Sequence, residues 1–457
     1  MRKLILVVVL FIISFNSFSQ DSLNIEVLYH WEDSNLIYNE VWGFVQDGRE
    51  YAVIGSWDGT HFFDVTDPVN TVKVDYVPGT VTICQPAPCI HRDYHDYNGY
   101  LYMVTDEDPL STMQIVDLRS LPDSVTLVYE SNTLFSRSHN IFIDSSSARL
   151  YTCGGNNNNG LRVFSLANPI NPVEIANYAT PGGYVHDVYV RNDTAFLNAG
   201  GMGLYVYDYA DIANPVLLGS MQSVEDPYSP DPAYNHSGWL TDDGNTYVLA
   251  YETDGVDVYI LDVSDLSNIT VIDSVTSDGD TAAIPHNPII RGSYAYVSYY
   301  SDGIYIYDIS NPANTTIAGY YLTQVGPGSG VSAWGIYPLL PSGIVLVSDI
   351  ATGFWVLDAS KAAVVDVPVF NGESGLLHVY PNPFSDYITI SIPLEAGIPQ
   401  SFRLFDVSGK EVKSGLLVRN SNYEIGTVSL DAGLYLLQVI TDKGTYSSKV
   451  TKTDNGQ

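Results

Sequence analysis

Positive charge is scarce in this chain. Its 457 residues carry 19 lysines and arginines against 52 aspartates and glutamates, a formal net charge of −33. Such a surface repels phosphate backbones and anionic lipid, which argues against nucleic acid and membrane surfaces as partners. Cations, proteins and neutral ligands such as glycans stay open. Cysteine is scarce too, at three residues. Cys84 and Cys89, in TICQPAPCI, form a disulfide candidate for an oxidising compartment, and no second pair exists to complete a thiolate metal site. Cys153, in the apolar run LYTCGG, is expected to be a buried small hydrophobe rather than a reactive thiol. Beyond the N-terminus no apolar run is long enough to span a bilayer as a helix. No helical period lasts past a turn or two, and no nucleophile elbow, P-loop, zincin helix or dinucleotide fingerprint occurs.

The one apolar run that does occur has the layout of an export signal. Arg2 and Lys3 precede Leu4 to Ile13, and Ser17-Phe18-Ser19 follows as a cleavage region. Charge then divides the rest. Residues 21–375 hold 10 basic against 44 acidic side chains, whereas residues 376–457 hold 7 against 8. These breaks predict a signal peptide over 1–19, a first domain over 20–365, a linker over 366–375 and a terminal domain over 376–457.

Within the first domain one phrase recurs: a Gly-led turn, an alternating apolar run, an Asp, then a Ser/Thr-Asp/Asn-Pro turn. It reads SDGIYIYDISNPAN from Ser301 and DGTHFFDVTDPVN from Asp58, with further copies from Thr112, Asn159, Met202, Asp254 and Ala351. The closing residue falls at Asp64, Asp117, Ser165, Asp208, Asp262, Asp308 and Asp358. Seven copies at a period near fifty mark a repeat architecture. Around each copy lie three more strand-like segments rich in β-branched and aromatic residues, with Asp47-Gly48, Asn98-Gly99 and Asn192-Asp193 as hairpin turns. Four strands per repeat predict an all-β, seven-bladed β-propeller. The unpartnered segment Leu23 to His30 is expected to complete the last blade and close the ring, with Lys361 to Phe370 as the competing segment. After Gly375, alternating strands separated by Pro-Asn-Pro, Ser-Gly and Lys-Gly turns predict a small antiparallel β-sandwich.

One position at the opening of each first strand draws most of the chemistry. It holds Trp42, His91, His139, His186, His236, His286 and Trp334, and so five of the nine histidines. In a propeller these side chains would ring one mouth of the central channel, with His95 close by. Three readings compete. Imidazoles pair with a neighbouring blade's backbone or with Asp93 or Asp187 and serve blade packing. Alternatively, several converge on a transition metal such as Zn, Cu or Mn. In the third, His and Trp line a cleft for a sugar. Acidic loops at Asp106-Glu107-Asp108, Asp242-Asp243-Gly244 and Asp278-Gly279-Asp280 offer oxygen ligands for Ca²⁺, though none has EF-hand spacing. The segments Cys84 to Cys89 and Ser223 to Tyr234 depart furthest from the repeat, and specificity is expected there.

The repeated phrase resembles the LVIVD repeats of bacterial and archaeal surface proteins, and the arrangement over Tyr38 to Asp358 resembles the choice-of-anchor B family. The terminal domain resembles the type A sorting domain of type IX secretion. It does so through Tyr380-Pro381-Asn382-Pro383, Val407-Ser408-Gly409-Lys410, Gly433-Leu434-Tyr435 and Lys449-Val450. The second resemblance implies the secretion machinery as a partner, passage across the outer membrane, and release or attachment at the cell surface. Together these readings point to an exported binding or adhesion module. The alternative is a metal-dependent lyase or oxidoreductase built on the histidine ring.

Overall fold

The computed structural model describes residues 21–453 apart from 81–90, 107–111, 156–159, 181–182, 278–282, 325–331, 364–376, 392–398, 406–410, 418–422, 428–429, 431 and 442–443. The signal segment, Cys84, Cys89 and the Asp278 to Asp280 cluster lie outside the described residues. The chain divides into two compact units, Met1–Val365 and Asp366–Gln457. No described helix is long and apolar enough to cross a membrane.

The first unit contains seven antiparallel sheets among the described residues. We number them as blades 1 to 7. They open with Tyr38–Gln46, Arg92–Tyr97, Asn140–Asp144, Asp187–Arg191, Asn235–Leu240, Ile284–Arg291 and Ala333–Tyr337. Each opening strand neighbours the next, and that of blade 7 neighbours that of blade 1. This closed circuit of inner strands is a β-propeller, with an axial channel lined by one strand per blade.

Local sequence explains the repeat. The third strand of every blade ends on the residue that closes the recurring phrase, from Gly59–Asp64 through to Gly353–Asp358. At all seven positions the side chain accepts the N–H two residues on, as Asp64 does from Thr66 at 3.0 Å and Asp308 from Ser310 at 2.9 Å. The carboxylate thus satisfies a backbone donor that the sheet ladder no longer can. Asp47, Gly48, Asn98 and Gly99 all have positive φ, as the tight hairpins between first and second strands require.

Closure follows the expected device with a shift of a few residues. Glu26–Trp31 pairs antiparallel with Gly353–Asp358 and supplies the fourth strand of blade 7. Ser22–Leu23 leaves that strand and instead pairs with Thr316–Tyr321 as a fifth strand on blade 6. Beneath the seam, Ala52, Ile54 and Phe63 of blade 1 pack on Leu346, Phe354 and Val356 of blade 7 in one buried cluster.

The second unit is a small antiparallel β-sandwich. One sheet has His378–Tyr380, Tyr387–Ser391 and Tyr423–Gly426; the other orders Glu411–Leu416, Pro399–Phe405, Gly433–Thr441 and Gly444–Lys452. Phe384, Ile388, Ile390, Leu404, Leu437, Val439 and Val450 form its core. Asn382 accepts from Thr451 N at 2.9 Å and donates to Lys449 O at 3.0 Å, so the Pro-Asn-Pro segment braces the closing strand.

Candidate functional site

Each blade's inner strand has an edge that faces the axis and has no further strand to pair with. Side chains fill the space along the axis, in three successive layers. The outermost layer is the histidine ring. His91 and His139 stack at 3.9 Å between ring centroids, and His139–His186, His186–His236 and His236–His286 follow at 4.3, 4.2 and 4.3 Å. Trp334 closes the circle, 4.9 Å from His286 and 5.5 Å from His91. Six of the seven sequence-predicted residues therefore come together.

Trp42 does not join them. It lies against His95 at 4.6 Å and Tyr337 at 4.8 Å, with Nε1 donating to Asp96 at 2.9 Å. His95 contacts Phe142 rather than the ring, at 5.1 Å. The irregularity between Tyr38 and Val41 is the one that encloses His286 between Pro285 and Pro288 in blade 6, so Asn39 holds the ring position in blade 1 and Trp42 lies three positions further along the strand. Trp42, His95, Phe142, Tyr189, Trp239 and Tyr337 make a second, inner aromatic ring. The sequence held a signal for this: each true ring residue but His286 is followed three or four positions on by an aromatic side chain, and Trp42 fits only as a follower.

A polar layer that sequence reasoning missed lies between the two rings: Glu40, Asp93, Asn140, Asp187, Ser237 and Asn287, one from each of six blades. In blade 7 the place is taken by Gly335, where a Cβ would fall 1.8 Å from Glu40 Oε1. Asp93 accepts from Tyr94 N at 2.8 Å and from Ile141 N of the next blade at 2.7 Å. Glu40 accepts from Val41 N and from Asn287 Nδ2, both at 2.9 Å. Asp187 accepts from Val188 N at 2.8 Å. Burial raises all three carboxyls: Glu40 well above its ordinary value, Asp93 to about 8 and Asp187 to about 6. A cavity of about 70 Å³ is lined by this layer together with Trp42, Phe142, Tyr189 and Trp239.

The imidazoles make a repeated bond across blade boundaries. His186 Nδ1 meets the carbonyl of His236 at 3.2 Å, His236 Nδ1 that of His286 at 2.9 Å, and His286 Nδ1 that of Trp334 at 2.7 Å. A carbonyl only accepts, so these Nδ1 atoms carry the proton and each Nε2 keeps its lone pair. Asp93 and Asp187, expected as partners of the imidazoles, instead cap backbone N–H groups. Burial lowers the basicity of His91, His186 and His236 well below the usual histidine range and that of His286 to about 3, so these four are neutral at pH 7.

Carboxylates approach the ring from the second strands. Asp106 Oδ2 lies 2.6 Å from His139 Nδ1, and Glu252 Oε2 lies 3.7 Å from His236 Nε2. Burial raises the Glu252 carboxyl. Two groups with metal-ligand proximity result: His91, Asp106 and His139, and His186, His236 and Glu252, each with one ligand atom per residue inside 4.8 Å of the others. The rim is aromatic, with Tyr234 5.2 Å from His186 and Tyr300 4.7 Å from His286. Tyr234 ends the Ser223 to Tyr234 excursion, which thus reaches the mouth. Cys153 is buried as expected, its thiol donating to His186 O at 3.2 Å, and burial pushes its pKa well up. Asp243 of the Asp242-Asp243-Gly244 loop is engaged by Thr241 and Asn245 of its own turn.

Comparison with known proteins adds one assignment. No curated protein matches the chain. The periplasmic gluconolactonase of Pseudomonas aeruginosa is similar at 14% identity and TM-score 0.49, over 66% of this chain and 88% of that one. The WD40 β-propeller domain of Doa1 is similar at 11% and 0.49, over 73% and 96%. A Lactobacillus plantarum protein is similar at 11% and 0.48, over 89% and 100%. Residues 378–453 match the family described as secretion system C-terminal sorting domain, so this propeller is an exported protein, secreted or held at the cell surface by way of the type IX pathway.

Proposed function

We propose that this protein is an exported propeller that holds a divalent transition-metal ion at its channel mouth and uses it to bind an oxygen-donor ligand. The observation that carries the reading is the cross-blade hydrogen bond from Nδ1 of His186, His236 and His286. Metal-bound histidine characteristically gives its second ring N–H to a carbonyl or carboxylate, which fixes the tautomer and aims the free nitrogen. Here the fold supplies that orientation, and Glu252 adds an oxygen ligand beside His186 and His236. Imidazole and carboxylate donors suit Zn, Cu or Mn.

The glycan-cleft reading loses its support, because Trp42 lies in the inner ring and Trp334 is wedged between two imidazoles. The remaining organisation extends the same proposal. The mature chain starts after residue 19, an LVIVD-repeat propeller runs to 365, and 376–457 is recognised and then removed by the type IX machinery.

The test is metal analysis of the full mature chain purified without chelator. At least one equivalent of a transition metal is expected, and His186→Ala and His236→Ala should each lower it while the far-ultraviolet circular dichroism stays native. Wild-type protein without metal, and variants changed only in melting temperature, would return the ring to a packing role.

A further inference from the structure

We infer that the ring holds a second divalent transition ion, on His91, His139 and Asp106, beside the one on His186, His236 and Glu252. The inference rests on the proposed metal site and adds a position to it. The two groups have the same donor set, two imidazoles and one carboxylate, and they adjoin where His139 meets His186 at 4.3 Å between centroids.

His91 supplies the independent observation. At His186, His236 and His286 Nδ1 is tied to a carbonyl of the following blade, so that nitrogen is satisfied and held away from the axis-facing one. His91 breaks that pattern. It is 93% buried, its relative exposure being 7%, yet its Nδ1 has no hydrogen-bond partner among the described residues. A buried ring nitrogen without a partner is costly, and a bound ion would satisfy it. His139 departs as well, since its Nδ1 meets the Asp106 carboxylate at 2.6 Å instead of a carbonyl. That contact brings a carboxylate oxygen and an imidazole nitrogen close enough to share one ion. Two imidazoles and a carboxylate leave coordination positions open on each ion. A pair of such ions then favours ligands that bridge through oxygen.

Co²⁺ titration of the full mature, metal-stripped chain, followed by visible absorbance and equilibrium dialysis, tests this. Two equivalents are expected in the wild type. One should remain in Asp106→Asn and in His139→Ala, and one in His186→Ala, with circular dichroism confirming the fold of each. A wild type that takes up one equivalent, kept in Asp106→Asn and lost in His186→Ala, overturns the second position and leaves the first reading standing; one equivalent lost in Asp106→Asn and kept in His186→Ala overturns the first reading and the pair alike. A wild type that takes up none overturns both.

Discussion

His61 shows at the scale of one residue what burial does to a histidine that no metal reading involves. Its Nε2 meets Ser56 Oγ at 2.8 Å, and its ring lies 5.0 Å from Trp31 and 4.9 Å from Tyr76. Burial, with Lys73 adding repulsion, pulls its pKa from 6.5 to about 4. The unfolded chain therefore takes a proton near pH 6.5 that the folded chain refuses until about pH 4. Its contribution to stability is complete above pH 6.5 and disappears as pH falls toward 4, a loss on the order of 3 kcal/mol. Denaturation of metal-free protein across this range should show a shallower loss for His61→Gln than for wild type. Parallel curves would mean that His61 is not held neutral by its surroundings.

At the scale of the element, the closing Asp of each third strand is the repeated investment in structure. Its carboxylate replaces a ladder partner for the turn that follows, and a capping interaction of this kind contributes about 1 kcal/mol. Asp308→Ala should lower the free energy of unfolding, measured by denaturant titration, by about that amount. Ser165 occupies the same place in blade 3, with a neutral hydroxyl accepting from Ala167 N at 3.3 Å, so Ser165→Ala should cost less. Equal costs at the two sites would remove the carboxylate from the explanation. These turns were legible in advance because the bond is local, spanning two residues.

For the whole molecule, closure is what turns seven hairpin stacks into one body. Glu26–Trp31 covers the edge of Gly353–Asp358, and removing it would leave an open row of donors and acceptors on blade 7. A chain lacking residues 21–31 should melt many degrees lower and form oligomers visible by light scattering after size exclusion. A monomer with an unchanged melting temperature would show that the seam contributes little.

Composition, period and turn chemistry determined that the chain is all-β, built from repeats near fifty residues, and provided with an export domain marked by its Pro-Asn-Pro, Ser-Gly and Lys-Gly turns. They also brought five histidines and Trp334 to one mouth, since equal spacing on equivalent strands places residues around one axis. Only the tertiary structure decided the depth of each side chain. In blade 1 the ring position falls on Asn39 and not on Trp42 three residues on, and spacing could not separate the two because the distance from blade to blade varies by a few residues. The Nδ1 bonds, the Asp106 and Glu252 carboxylates and the polar layer under the ring also waited for the fold. Most join residues dozens of positions apart across neighbouring blades, and Glu252 meets His236 only through the pairing of the first two strands of blade 5.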